Sequence, residues 1–123
     1  MTAQGKTRLV LVVDDDGMIR RLVRAVLEAD EFEVAEARDG AAALRLASER
    51  HPSVVVLDVM MPGLDGVEVC RRLDHQRVKV VMLTARDEPT LETEAKDAGA
   101  DAFITKPFLP MQPLDLVGEL MAS

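Results

Sequence analysis

An α/β fold on a parallel sheet is predicted by three observations. Short β-branched and aliphatic runs alternate with stretches of helical period five times over, no Gly/Ser/Pro-rich linker separates one pair from the next, and most runs are apolar on both faces. A length of 123 residues suits one compact domain with a single core. Residues 1–123 are therefore expected to form one unit, with residues 1–8 as a polar N-terminal tail.

The first run, Leu9 to Val13, is unbroken Leu and Val, as a strand buried on both faces requires. Met18, Ile19, Leu22, Val23, Val26 and Leu27 then recur at helical spacing, with Arg20, Arg21, Arg24 and Glu28 opposite. That is an amphipathic helix with its apolar stripe toward the sheet. Glu33 to Ala37 alternates acidic and apolar residues, which places this strand at a margin with one wet face. A second helix from about Ala41 to Glu49 follows Asp39-Gly40, and Val54 to Leu57 is again a central strand. A third helix, about Val67 to Leu73, follows Asp65-Gly66 and leads into a fourth strand, Val78 to Leu83. Pro89 suits the first turn of a fourth helix containing Leu91 and Ala95, with Gly99 just past its end. Ala102 to Thr105 forms the fifth strand, and Leu114, Val117, Leu120 and Met121 line a last helix from about Met111 to Met121.

Composition narrows the function classes. Twenty-two acidic against fifteen basic side chains give a net charge of −7, which disfavours a nucleic-acid or anionic-membrane surface. The single cysteine, Cys70, excludes an intramolecular disulfide; it lies at helical spacing from Val67 and Leu73 and is read as core filling. No Cys/His cluster has zinc spacing. His51 and His75 fall in polar stretches at element ends and are expected to be solvated. No apolar segment suits a signal region or a bilayer span, so the expected location is the cytoplasm.

Four strands end on residues that a core does not need: Asp14 and Asp15 after the first, Asp58 after the third, Thr84 after the fourth and Lys106 after the fifth. Parallel strands gather their carboxyl ends on one edge, where open α/β sheets bind ligands. Two like charges about 4 Å apart repel by roughly 4 kcal/mol at an effective dielectric near 20, so converging carboxylates ask for a cation. A hard ion such as Mg²⁺ takes oxygen ligands and keeps positions for water and phosphate. Asp58, delivered by a buried strand, is placed to attack phosphorus. Lys106 is the matching cation, able to pair first with that carboxylate and then with a phosphoryl oxygen, while the Thr84 hydroxyl donates to another. Helix N-capping is the competing reading of Asp14, Asp15 and Asp16, and for Asp16 the preferred one.

Val12-Val13-Asp14-Asp15-Asp16, Leu57-Asp58-Val59-Met60-Met61-Pro62-Gly63-Leu64-Asp65-Gly66, Leu83-Thr84-Ala85-Arg86 and Gly99-Ala100-Asp101-Ala102-Phe103-Ile104-Thr105-Lys106-Pro107-Phe108 together resemble the receiver domains of two-component response regulators. The likeness spans essentially the whole chain. It implies a flavodoxin-like, doubly wound sheet of five strands in the order 2-1-3-4-5 with five helices. It implies that Asp58 is the phosphoacceptor and that Asp15 binds the ion directly, Asp14 more often through water, with Asp58 and the Met60 carbonyl as further ligands. The ion implied is magnesium, with manganese able to replace it. Thr84 and Phe103 resemble the switch pair, Lys106 the phosphate-pairing lysine, and Lys106-Pro107 a cis peptide. Phe103 stands where a tyrosine is often found, and Asp30-Glu31 replaces the glycine usual between the first helix and second strand.

The resemblance further implies a phosphoryl donor, either a sensor histidine kinase or a histidine phosphotransfer protein, and an output through a downstream protein or a fused domain. The last helix carries no Lys or Arg from Pro113 to Met121, which argues against the salt-bridged dimer of the winged-helix subfamily. A haloacid-dehalogenase-type enzyme would need an acid two positions after Asp58, where Met60 stands. A nucleotide-binding domain would need a Gly-rich loop where Asp14-Asp15-Asp16 would repel phosphate. A pseudo-receiver acting only by docking would lack a site residue, and none is lacking.

Overall fold

A computed structural model of the chain describes residues 8–61, 63–85 and 89–122. Residues 1–7, Pro62 and Arg86 of the segments quoted above lie outside the described residues. The strands are β1 Leu9–Val13, β2 Glu33–Ala37, β3 Val54–Asp58, β4 Lys79–Ala85 and β5 Ala102–Lys106. They form one parallel sheet in the order β2-β1-β3-β4-β5, the expected topology. The helices are α1 Gly17–Ala29, α2 Gly40–Arg50, α3 Gly66–Arg72, α4 Pro89–Asp97 and α5 Met111–Ala122.

Alternation along each strand divides the core in two. Leu9, Leu11, Val55, Leu57, Val80 and Met82 point to one face and meet Ala43 of α2, Val69 and Cys70 of α3 and Ala95 of α4. Val10, Val12, Val54, Val56, Val81 and Ile104 point to the other and meet Val23 and Leu27 of α1 and Val117 of α5. Both faces are covered, which is why the central runs tolerate no polar residue.

Three strands run past their expected ends. Asp58 pairs with Leu83, Thr84 with Thr105 and Ala85 with Lys106, so Asp58, Thr84 and Lys106 lie within the ladder. Three helices start on aspartate caps: Asp16, Asp39 and Asp65 each accept from a backbone amide two or three residues on, at 2.9, 2.8 and 2.9 Å. Each cap stabilises by about 1 kcal/mol. Gly66 is required here because a Cβ would overlap the Asp58 carbonyl, so α3 packs directly on the end of β3.

Two helices end in Schellman motifs. For α4, Ala100 N–H donates to the Ala95 carbonyl and Gly99, at φ 111°, donates to that of Lys96, each at 3.0 Å. For α1, Phe32 donates to the Leu27 carbonyl at 3.1 Å and Glu31 to that of Glu28 at 3.0 Å. Glu31 thus holds φ 68°, a left-handed conformation that glycine adopts without cost.

Three sequence expectations change. His75 is half-buried rather than solvated: its ring lies where a Gly99 Cβ would sit, and its Nε2 is 2.6 Å from the Cys70 carbonyl. The tight turn after Asp74 folds it under α3, whereas His51 is exposed at the end of α2 as expected. The apolar stripe of α1 is wider than its contact with the sheet, so Met18 (72%) and Leu22 (37%) are exposed. Arg20 is not on a free polar face; its side chain is only 20% exposed and reaches toward β2.

Candidate functional site

At the carboxyl edge the topology brings Asp14, Asp15, Asp58, Thr84 and Lys106 together. The β1 and β3 termini are neighbours where strand order reverses, and β4 and β5 extend the same edge. Asp14 is fully buried and Asp58 is 5% exposed, while Asp15 faces solvent. One carboxylate oxygen from each of the three lies within 4.8 Å of the others.

Each group is held by its surroundings. Asp14 Oδ1 accepts from the Asp16 amide at 2.9 Å, its Oδ2 from Lys106 Nζ at 2.9 Å, and its amide donates to the Ala37 carbonyl at 3.2 Å. The sequence suggested Lys106 against Asp58. The ammonium group does pair with Asp58, 3.4 Å from its Oδ1, and also donates to the wholly buried Asp14 at 2.9 Å, bridging the two. Met60 donates its amide to Asp58 Oδ1 at 3.3 Å and turns its side chain outward, 57% exposed. The Lys106–Pro107 peptide is cis.

Burial and the charge of Asp14 push the Asp58 carboxyl up to about 6, against the opposing pull of Lys106 and the Met60 amide. Burial works against the Lys106 charge, but the hydrogen bond it donates to Asp14 and the charges of Asp58 and Asp14 outweigh it and raise Lys106 above its ordinary value. The thiol of Cys70, by contrast, is pushed up to about 11 by burial and by Asp101, which leaves it an inert core group.

Two features fit the site to a cation and an oxyanion. The three carboxylates form a hard-oxygen donor set whose like charge is offset in part by the Lys106 ammonium, which pairs with two of them. The Thr84 hydroxyl is buried with no hydrogen-bond partner among the described residues, an orphan donor. Phe103, paired in register with Met82 one strand beyond, is half-buried against the α2–α4 core.

Residues 10–117 match the response regulator receiver domain family. The chain belongs to that family. This receiver domain is 41% identical over 104 residues to the transcriptional regulatory protein SrrA of Staphylococcus aureus, covering 84% of this chain and 43% of that protein. It therefore spans less than half the length of that relative. Among solved structures it is similar to the chemotaxis regulator CheY4 of Vibrio cholerae, with 32% identity, a TM-score of 0.85 and coverage of 93% and 98% of the two chains. The receiver domain of NtrX from Brucella abortus matches with 30% identity, a TM-score of 0.86 and the same coverage. A receiver domain is the phosphoacceptor switch of a two-component response regulator, and nothing in these matches favours a dehalogenase-type enzyme.

Sequence reasoning missed two residues that hold the site. Arg20 Nη1 donates to the Asp14 carbonyl at 2.7 Å, and its Nε donates to Glu36 at 2.9 Å. The available signal was an arginine one turn into the helix that follows the acidic pair, with a glutamate on the adjacent strand.

Proposed function

We propose that Asp58 accepts a phosphoryl group from a protein phosphohistidine, with Asp14, Asp15, Asp58 and the Met60 carbonyl holding magnesium, or manganese in its place. The observation that carries this reading is the unpartnered Thr84 hydroxyl, buried on the strand next to Asp58 and one strand from Lys106. A bound divalent ion supplies charge neutralisation and a position for one phosphoryl oxygen. An Asp58 oxygen forms the new O–P bond as the donor's N–P bond breaks, its electron pair returning to the imidazole nitrogen. Lys106 leaves Asp14 for a phosphoryl oxygen, and Thr84 donates to another. The chain assists its own phosphorylation and dephosphorylation without acting on a separate substrate.

Movement of Thr84 toward the phosphoryl group vacates space beside β5, and Phe103 turns inward to fill it. Burying a large apolar side chain stabilises by roughly 1.5–3 kcal/mol, which shifts a two-state equilibrium by one to two decades. The surface of α4, β5 and α5 is remodelled, and a downstream protein or fused output domain reads it. The donor docks beside the crevice. A groove of about 350 Å³ runs from Ile19 and Leu22 to Lys106 and Phe108, and Met18, Met60, Leu109 and Met111 are exposed apolar side chains. Such a relay operates in the cytoplasm.

The test is treatment with acetyl phosphate with and without Mg²⁺, mapping the product by mass spectrometry. Labelling is expected at Asp58 alone, lost with EDTA and in Asp58→Asn. Labelling of Asp58→Asn, or indifference to EDTA, would overturn the assignment. Phe103→Ala is expected to take up phosphate yet show no α4–β5–α5 shifts by NMR, while Phe103→Tyr behaves as the parent.

A further inference from the structure

We infer that Arg20 is a positioning residue for the acidic pair, acting through the Asp14 carbonyl and held in place by Glu36. This rests on the proposed cation site. Asp15 has no side-chain hydrogen bond or ion pair among the described residues, and it is exposed. Its carboxylate nevertheless comes within 4.8 Å of those of Asp14 and Asp58. Only the backbone sets that placement. The peptide joining Asp14 to Asp15 is a rigid plane, so fixing the Asp14 carbonyl fixes where the Asp15 Cα stands.

Arg20 provides that fixation from a second element. Its Nη1 donates to the Asp14 carbonyl at 2.7 Å while its Nε donates to Glu36 Oε1 at 2.9 Å. Arg24 Nη1 takes the other Glu36 oxygen at 2.7 Å and its Nε takes Glu28 at 2.9 Å, so Glu36 is held on both oxygens. The brace therefore runs from the edge strand β2 through α1 to the loop that bears the pair. Losing Arg20 would remove the carbonyl's partner in a residue that is fully buried, and the peptide would reorient to find another.

The sign of the effect separates positioning from simple charge. Removing a cation near a cation site would tighten Mg²⁺ if charge alone mattered; removing a positioning group weakens it. Mg²⁺ titration of the whole chain, followed by NMR of the Asp15 to Gly17 amides, should show Arg20→Ala binding about tenfold more weakly than the parent, the range found when groups orienting metal ligands are removed. Arg20→Lys, which keeps one donor for the carbonyl, should recover much of the loss. Arg24→Ala is the control: it disturbs the same Glu36 but does not contact Asp14, so its Mg²⁺ affinity should stay within twofold although urea denaturation shows it destabilised. Unchanged or tighter binding in Arg20→Ala overturns the inference, as does equal weakening in Arg24→Ala, which would tie the loss to stability. If the parent itself does not bind Mg²⁺, the cation site fails and this inference falls with it.

Discussion

The two margins of the sheet are held by different forces. At the β2 margin Arg20 and Arg24 pair with Glu36, Arg50 pairs with Glu33, and Arg8 caps the turn after α1 through the Asp30 and Glu31 carbonyls while stacking 4.0 Å over Phe32. At the β5 margin no ion pair among the described residues reaches α4 or α5, Ala95 is the buried residue of α4, and Ala102 and Phe103 are only half-buried. On the proposed mechanism the ionic margin adjoins the acidic pair, which is arranged before the phosphoryl group arrives, and the apolar margin adjoins Thr84 and Lys106, which move afterwards. A margin held by packing alone opens at lower free energy, and that is where a small local change can be amplified.

The largest expected effect lies at the seam between them. The folded protein holds Asp58 above the unfolded carboxylate range, so the stability associated with its protonated form is fully present below about pH 4 and is lost as pH rises through about 6. Asp58→Asn removes that loss. Without metal it should gain about 2–3 kcal/mol at pH 7.5 and almost nothing at pH 4, read by urea denaturation. A gain that persists at pH 4 would assign the strain to packing instead.

Next comes the contrast between margins. Glu36→Ala should lose about 1–2 kcal/mol because it takes from two guanidinium groups the carboxylate they share, leaving Arg24 to Glu28 and Arg20 to the Asp14 carbonyl, whereas Glu94→Ala on α4 should stay within about 0.5 kcal/mol. The hydrogen bond from Arg24, together with that from Arg20, outweighs burial and holds the Glu36 carboxyl below its ordinary value. Its contribution is thus present above the ordinary carboxylate range and fades as pH falls through the folded value, so the difference between the variants should shrink in acid. Equal losses at neutral pH would erase the distinction between the margins.

The smallest effect is a gain at the ionic margin. Glu31 occupies a left-handed position at φ 68°, so Glu31→Gly should stabilise by about 0.5–1 kcal/mol in the same urea experiment. A loss would mean that the Glu31 side chain contributes more than its backbone conformation costs.

Most of the fold was legible because buried parallel strands permit few residue types; Val54-Val55-Val56-Leu57 has no other plausible use. The convergence of Asp14, Asp58, Thr84 and Lys106 was legible for the same reason, each being a polar residue at the end of such a run. Strand ends were less so, because the polar residue that interrupts the apolar pattern at Asp58 or Lys106 still pairs in the ladder. The role of Arg20 was only weakly signalled, by an arginine one turn past the acidic pair and a glutamate on the next strand, and that of His75 was not legible. A polar residue at a polar position gives the same sequence signal whether it meets water or, like Arg20, a buried carbonyl.

The exposed methionines carry a chemical liability. Met18, Met60 and Met111 are more than half exposed, whereas Met61 and Met82 are buried. A peroxide would convert the first three to polar sulfoxides long before it reached the other two. Aged or oxidised samples would keep their buried core yet carry polar groups where apolar side chains stood, and the order in which the sulfur atoms gain oxygen would itself map which of them a bound partner shields.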